Sequence, residues 1–247
     1  MDPASLRVLT WNIHGLHDDR AAVIRVLRAA EPDLVCLQEV PYRFRGRPRV
    51  AALAREAGLI LVAGDRSSAG TALLCSARVE VLGAQALPLP VAPWPAARND
   101  SGRRLPPCRI FRRGVVAASV RVTGGPALRI AVVHLGLIQR ERLHHVGLIL
   151  HERGPVALAA EGPPVVVAGD LNESPGGPTW LALHRLVRDP TPDAGATFST
   201  RRLRRRIDAV LVGEGVAVEE YAAWQPDPAD ARAASDHLPV LAVLRPG

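Results

Sequence analysis

Asp170 and Asn172 leave the end of an apolar run, Val165-Val166-Val167-Ala168-Gly169, with only Leu171 between them. An ionised carboxylate only accepts hydrogen bonds, whereas a carboxamide both accepts and donates, so the pair could hold one ligand from two sides. Extended geometry over these residues would put both side chains on one face of the chain. A turn in which Asp and Asn satisfy their own backbone is the competing reading of the same stretch. What weighs against that reading is recurrence. Asn12, Glu39, His134, Asp208, Asp236 and His237 also lie within or at the ends of strongly apolar segments. Any one of them could be a cap or a satisfied polar group. Eight at corresponding edges suggest a site.

The elements that must position these residues can be read from the pattern of apolar residues. Three β-branched residues after Pro163-Pro164 indicate a strand buried on both faces, and Gly169 lets the backbone turn where Asp170 appears. Leu6 to Ile13 reads as a strand carrying Asn12 to a turn. Asp18 and Asp19 can cap a helix with the apolar face Ala22, Val23, Val26, Leu27 and Ala30, stopped by Pro32. The next strand, Asp33 to Gln38, runs straight into Glu39. A helix over Val50 to Ala57 closes at Gly58 and leads to strands at Leu59 to Ala63, Thr71 to Cys75 and Val79 to Leu87. A proline-rich surface loop from Pro88 to Pro107 carries Trp94, Arg98, Arg103 and Arg104. Arg109 to Val122 and Ala127 to Leu135 read as a hairpin, the second strand ending in His134. A helix from Gln139, apolar at Leu143, Val146 and Leu150, breaks near Gly154-Pro155. After the central strand come a helix near Pro178 to Leu186 and strands at Ile207 to Val212, Val216 to Trp224 and Leu238 to Leu244. Trp11 and Trp180 are expected in the core.

At 247 residues with 48% apolar content, the chain can build one large sandwich of sheets, and a single domain over 1–247 is expected. Aromatic residues make up only 4%, so Val, Leu, Ala and Ile must do the packing. No apolar run approaches the ~18 residues that span a bilayer. The start has neither a basic nor an apolar leader segment, and a cytoplasmic monomer is expected. Cys36, Cys75 and Cys108 suggest neither a disulfide framework nor a zinc site. The formal net charge is +7, and every basic side chain is arginine. That balance favours an anionic partner, and guanidinium matches phosphate bidentately. An Arg-rich, Lys-free composition is also what a GC-rich genome writes regardless of function.

Six segments, in order, resemble the endonuclease/exonuclease/phosphatase superfamily: Thr10-Trp11-Asn12, Pro32-Asp33-Leu34-Val35-Cys36-Leu37-Gln38-Glu39, Val133-His134-Leu135, Gly169-Asp170-Leu171-Asn172, Arg206-Ile207-Asp208 and Ser235-Asp236-His237-Leu238-Pro239-Val240. The resemblance runs from residue 6 to 244. It implies a four-layered α/β sandwich of two mixed β-sheets with helices outside, and metal-assisted hydrolysis of a phosphoester. In that reading Glu39 is the principal ligand of Mg²⁺, or Mn²⁺, with Asn12 and Asp236 nearby. A hard cation of this kind takes oxygen ligands and keeps several waters. Asp170 would activate or orient the attacking water, and Asn172 would donate to a phosphate oxygen. Asp208 would fix and charge-stabilise His237, and His134 would be a second imidazole facing the phosphate. Imidazoles suit acid and base work because they titrate near neutrality.

Departures from the family's patterns bear on the substrate. Repair-type apurinic endonucleases carry a tyrosine motif where this chain has Val133-His134-Leu135. The acidic residue that pairs with the first His in DNase I-like nucleases has no clear match, Glu80 being the nearest. The signature that precedes the Arg-Ile-Asp word in 5-phosphatases is missing. Arg201, Arg202, Arg204, Arg205 and Arg206 immediately precede Asp208 and could track a nucleic-acid backbone, or form a solvated basic surface. A nuclease acting on DNA or RNA is the leading expectation. A phosphatase or phosphodiesterase on a small or lipid phosphoester is the alternative, and a non-catalytic phosphate-binding module is less favoured.

Overall fold

The computed structural model describes residues 4–64, 66–90, 112–151, 154, 162–224 and 227–247. Trp94, Arg98, Arg103, Arg104, Cys108, the 109–111 start of the expected hairpin and Pro155 lie outside the described residues.

Two parallel strand–helix–strand units form the frame. In the first, β1 (Leu6–Asn12) and β2 (Leu34–Gln38) lie side by side and α1 (Arg20–Ala30) crosses between them. In the second, β7 (Leu128–His134) and β8 (Val165–Asp170) are joined through α3 (Gln139–Ile149). Parallel neighbours end at the same edge, so Asn12 sits beside Gln38 in register, and His134 beside Asp170.

The remaining strands extend each pair. The first sheet has the order β10 (Val216–Ala223), β11 (Val240–Pro246), β1, β2, β4 (Ala72–Cys75), β3 (Ile60–Ala63). The second has the order β5 (Val79–Leu89), β6 (Arg113–Val122), β7, β8, β9 (Asp208–Val212). Both mix parallel and antiparallel pairs. Between them lies a core that includes Leu6, Val8, Leu34, Cys36, Ile130, Val132, Val166 and Val210. The outer face of the first sheet packs on α1 and α2 (Gly46–Glu56), and that of the second on α3 and α4 (Pro178–Leu183). This is the expected four-layered sandwich. Among the described residues, no helix is long and apolar enough to cross a membrane.

Local physics accounts for most of the elements. Asp19 caps α1 by accepting from the Ala21 and Ala22 N–H groups, and the buried face is the expected Ala22, Val23, Val26, Leu27 and Ala30. Trp11 and Trp180 are buried, as expected. β8 is buried along its whole length. Other elements differ from the sequence reading. α2 begins at Gly46, ahead of the expected Val50. β5 runs on through Pro88, which is tolerated because β5 is an edge strand. α3 buries Arg142, His145, Val146 and Ile149, while the expected core residue Leu143 is exposed. The short helix α5 (Pro228–Ala234), capped by Asp227, is an addition.

Candidate active site

The C-terminal ends of β1, β2, β7 and β8 open at one place. Gly169 makes the approach of β7 and β8 close there: its φ is 154°, and a Cβ on it would collide with the Val133 carbonyl. His134 Nε2 therefore stands 3.4 Å from Asp170 Oδ2. Asn12 joins the two sheets. Its Nδ2 lies 3.2 Å from Glu39 Oε1 and 3.1 Å from Asp170 Oδ2, while its Oδ1 accepts from the His14 N–H. Glu39 takes a left-handed backbone (φ 55°) just after β2, and it is only half-buried.

From the far side of β8 comes β9, with Asp208 opposite Asp170 in register. His237, just before β11, places Nδ1 2.9 Å from Asp208 Oδ2, and its Nε2 is 4.0 Å from Asp170 Oδ2. Thr197 completes this arm. Its hydroxyl donates to Asp208 Oδ2 at 2.6 Å and accepts from the Asp208 N–H. Ser235 ties the His237 segment to β1 by donating to the Asn12 carbonyl and accepting from the His237 N–H. The Phe198 ring lies 4.7 Å from the His237 ring. Asp236 is half-buried, and its charge acts on both His14 and His237.

The expected pairing of Asp170 and Asn172 takes another form. Asn172 has φ 53°, so the segment is not extended. Its N–H donates to Asp170 Oδ1 at 2.8 Å, and its Nδ2 donates to the Leu135 carbonyl at 2.9 Å. The self-satisfied turn is thus real, and it coexists with the site: Asp170 Oδ1 is held by the turn while Oδ2 faces Asn12 and the two imidazoles. One hydrogen of the Asn172 amide group faces Leu135, which leaves the other available.

Burial dominates the electrostatics. It is the largest influence on Asp170, followed by the charge of Asp208, and together they push its pKa up to about 6 against His237, the Asn172 N–H and Asn12. For His237, burial would lower the pKa, but the Asp208 charge and hydrogen bond, with Asp170 and Asp236, outweigh it and push it up to about 10. His134 goes the other way. Burial, then the charges of Arg113 and His237, hold it well below the usual histidine range. Near neutrality the site therefore pairs one imidazolium with one neutral imidazole.

Two places could hold a cation. Asp170, Asp208 and His237 bring possible ligand atoms within 4.8 Å of one another. There, however, His237 Nδ1 faces Asp208 and the ring holds its proton, so an imidazolium stands where a neutral ligand is needed. Glu39 and Asp236 offer hard oxygen donors, which suit Mg²⁺, although among the described residues they do not close into a three-residue cluster of acidic, His or Cys ligands.

The arginine run divides. Arg201, Arg202, Arg204 and Arg205 are exposed on a hairpin beside the site, where Arg205 bridges to Phe198. Arg206 corrects the expectation of substrate contact. It is buried, makes two 2.8 Å contacts to Asp189, and lies over the Trp180 and Tyr221 rings. Glu80 is likewise engaged elsewhere, paired with Arg121 on the surface. Thr197 and the buried Arg113 were not singled out by sequence, and Ser235 was quoted only as part of a motif, with no role. Ser235 opens the Ser235-Asp236-His237 word, which is the signal that could have given it a role, whereas Thr197 lies eleven residues before Asp208 and carries no such signal.

The profile of the Endonuclease/Exonuclease/phosphatase family matches residues 9–237. No curated protein gives a match. Solved structures do. An endonuclease/exonuclease/phosphatase from Bacteroides vulgatus is 20% identical with a TM-score of 0.75, covering 98% of this chain and 99% of its own. ANGEL2, a 2',3'-cyclic phosphatase in complex with adenosine-2',3'-vanadate, is 15% identical with a TM-score of 0.72, covering 98% of this chain and 96% of its own. The human Nocturnin catalytic domain, with a bound sulfate anion, is 17% identical with a TM-score of 0.70, covering 99% of this chain and 94% of its own.

Proposed function

Because this chain belongs to the Endonuclease/Exonuclease/phosphatase family, whose members are phosphoester hydrolases, we propose that it is a Mg²⁺-dependent phosphodiesterase acting on nucleic acid. The observation that carries the reading is the Asn12 amide between Glu39 and Asp170, which brings the carboxylate ends of the two strand–helix–strand units to one point. Glu39, Asn12 and Asp236 would hold the cation, after the Asn12 carboxamide turns its oxygen toward it. When bound, that cation neutralises charge growing on the phosphoryl oxygens.

The chain's own groups take the remaining work. Asp170 Oδ2 accepts a proton from the attacking water, whose oxygen bonds to phosphorus as the bond to the leaving oxygen breaks. His237, kept protonated by Asp208, faces the phosphoryl group as a cation and proton donor. Neutral His134 orients Asp170 and the water through Nε2. Asn172 donates its remaining amide hydrogen to a phosphate oxygen. The products are a phosphomonoester and an alcohol.

The exposed Arg201, Arg202, Arg204 and Arg205 support a polyanionic substrate, because they leave the hairpin beside His237 and have no ion-pair partner among the described residues. The nucleoside 2',3'-phosphate chemistry named for ANGEL2 agrees with a nucleotide substrate. We assign the activity to a cytoplasmic monomer. A second reading, hydrolysis of a small or lipid phosphoester, draws support from a cavity of about 450 Å³ beside Glu39 and His134, a size common for small-molecule sites. A panel of DNA, RNA, inositol phosphates and sphingomyelin, assayed with Mg²⁺ and with chelator, tests both. Cleavage of nucleic acid that chelation abolishes is expected. Turnover of only the small or lipid substrates selects the second reading, and activity that survives exhaustive chelation overturns metal dependence.

A further inference from the structure

The cavity beside Glu39 and His134 is the inner end of a longer trough. A second space of about 410 Å³ adjoins it, sharing Tyr42, Arg43, Phe44 and Arg112 as walls and reaching Arg66 at the outer end. Arg49 of α2 lines the inner space. These arginines differ from those that the fold neutralises. Arg20, Arg25, Arg78, Arg121, Arg142, Arg206 and Arg245 each face a carboxylate. Arg43, Arg49, Arg66 and Arg112 make no ion pair among the described residues. Positive charge left uncompensated on the walls of one trough is suited to phosphates.

The aromatic side chains point the same way. The chain contains only two tyrosines and three phenylalanines, and one of each stands in this trough. Phe44 is 89% exposed, so its ring is open to a ligand. The Arg43 guanidinium lies 5.9 Å from the centre of the Tyr42 ring, which keeps a charge and a ring face on the same wall. Phosphate-binding arginines interleaved with open aromatic faces are the composition of a surface for unpaired bases, since every base has a face to stack and every nucleotide a phosphate. A duplex keeps its bases stacked on one another, so an open Phe44 favours an unpaired strand.

We propose that this trough binds single-stranded nucleic acid on one side of the scissile phosphate, with bases stacking on Tyr42 and Phe44 and phosphates meeting Arg43, Arg49 and Arg112. The proposal rests on the nuclease reading and narrows it: the preferred substrate is a single strand, threaded from the Arg66 end toward Glu39. The Arg201–Arg205 hairpin, beside His237, lines neither space of the trough.

The test is anisotropy binding of a fluorescent oligothymidylate, and of a duplex of equal length, in excess chelator so that nothing is cleaved. It compares wild type, Tyr42→Ala/Phe44→Ala, Arg43→Ala/Arg112→Ala and Arg55→Ala, the last an exposed arginine of α2 outside the trough, across a salt series. Hydrolysis of bis(p-nitrophenyl) phosphate by wild type with Mn²⁺ is measured in parallel. The expected result is tighter binding of the single strand than of the duplex. The aromatic pair of substitutions should then weaken it about tenfold or more. The arginine pair should flatten the slope of log K against log salt by about 0.7 per lost contact, and Arg55→Ala should do neither. Wild-type-like binding by both trough variants, no binding of the single strand at low salt, or preference for duplex would overturn the proposal. If the small diester is cleaved but the trough variants bind normally, the trough assignment fails while the hydrolase reading stands. If the trough variants lose binding but no phosphoester is cleaved, the trough stands and the hydrolase reading fails.

Discussion

His237 Nδ1 sits 2.9 Å from Asp208 Oδ2, and Thr197 holds that same carboxylate oxygen from the other side at 2.6 Å. The carboxylate is fully buried, so its charge reaches His237 with little screening. The imidazole is therefore a cation at neutral pH, and the site depends on Asp208 for that state.

Asp208→Asn removes the charge while keeping the shape. Burial then dominates His237 and its pKa falls, so the alkaline limb of the activity profile should move to lower pH and turnover at pH 8 should drop by about 10²-fold or more. The sign for stability follows from the raised folded pKa. The ion pair stabilises fully below about 6.5 and is lost as pH rises through about 10, so the melting-temperature gap between wild type and variant should close above pH 10. A constant gap from pH 6 to 11 would count against the assignment.

Glu39→Gln should act on metal rather than on fold. Glu39 is half-exposed and receives one 3.2 Å hydrogen bond from Asn12, which glutamine can still accept. The Mg²⁺ concentration giving half-maximal activity should rise at least ~10-fold, the lower end of what even supporting residues around a metal contribute. The melting temperature in chelator should stay within about 2 °C of wild type. An unchanged Mg²⁺ requirement would remove Glu39 from the ligand set.

Arg206 and its exposed neighbours should separate cleanly. Arg206→Ala strands a buried Asp189 and should cost about 3 kcal/mol or more in urea unfolding. Arg202→Ala, Arg204→Ala and Arg205→Ala together should leave stability within about 0.5 kcal/mol. They should instead flatten the salt dependence of nucleic-acid binding, which Arg206→Ala should not. The opposite pattern would return Arg206 to the substrate surface.

Gly169→Ala should fail both as a fold and as an enzyme. The added methyl meets the Val133 carbonyl, so β7 and β8 must part and His134 must move from Asp170. A loss of about 3 kcal/mol, with activity lost before global unfolding in urea, is expected. A variant as stable and active as wild type would show that the strand ends need not be this close.

What was legible in the sequence follows from which physics writes locally. Strand ends are marked by apolar runs and a polar residue, so Asn12, Glu39, His134, Asp170 and Asp208 could be placed at edges, and the capping acids and apolar face marked α1. One cause underlies the readings of Arg206 and of α3. Arg206 and Arg142 meet their carboxylates, Asp189 and Glu173, only in the fold, because each partner is distant in sequence. The same pairing explains why α3 turns its arginine inward and Leu143 outward. Asn172 was misread because a left-handed residue leaves no periodic signature, and α5 because two turns are too short to show one. The trough of Tyr42, Arg43 and Phe44 was invisible, since exposure is a property of the folded surface.

The most direct measurement is Asp170→Asn, assayed for phosphoester turnover and thermal stability across pH. Asp170 is buried with a pKa raised to about 6, so its ionised form is held at a cost that a carboxamide does not bear. Relative to the variant, wild type should lose stability as pH rises from about 4 through 6, leaving the variant as stable at pH 7 to within a few degrees. Turnover with saturating Mg²⁺ should fall by at least ~10²-fold. Near wild-type turnover in a folded Asp170→Asn protein would contradict the account, and so would collapse of the fold in place of loss of chemistry.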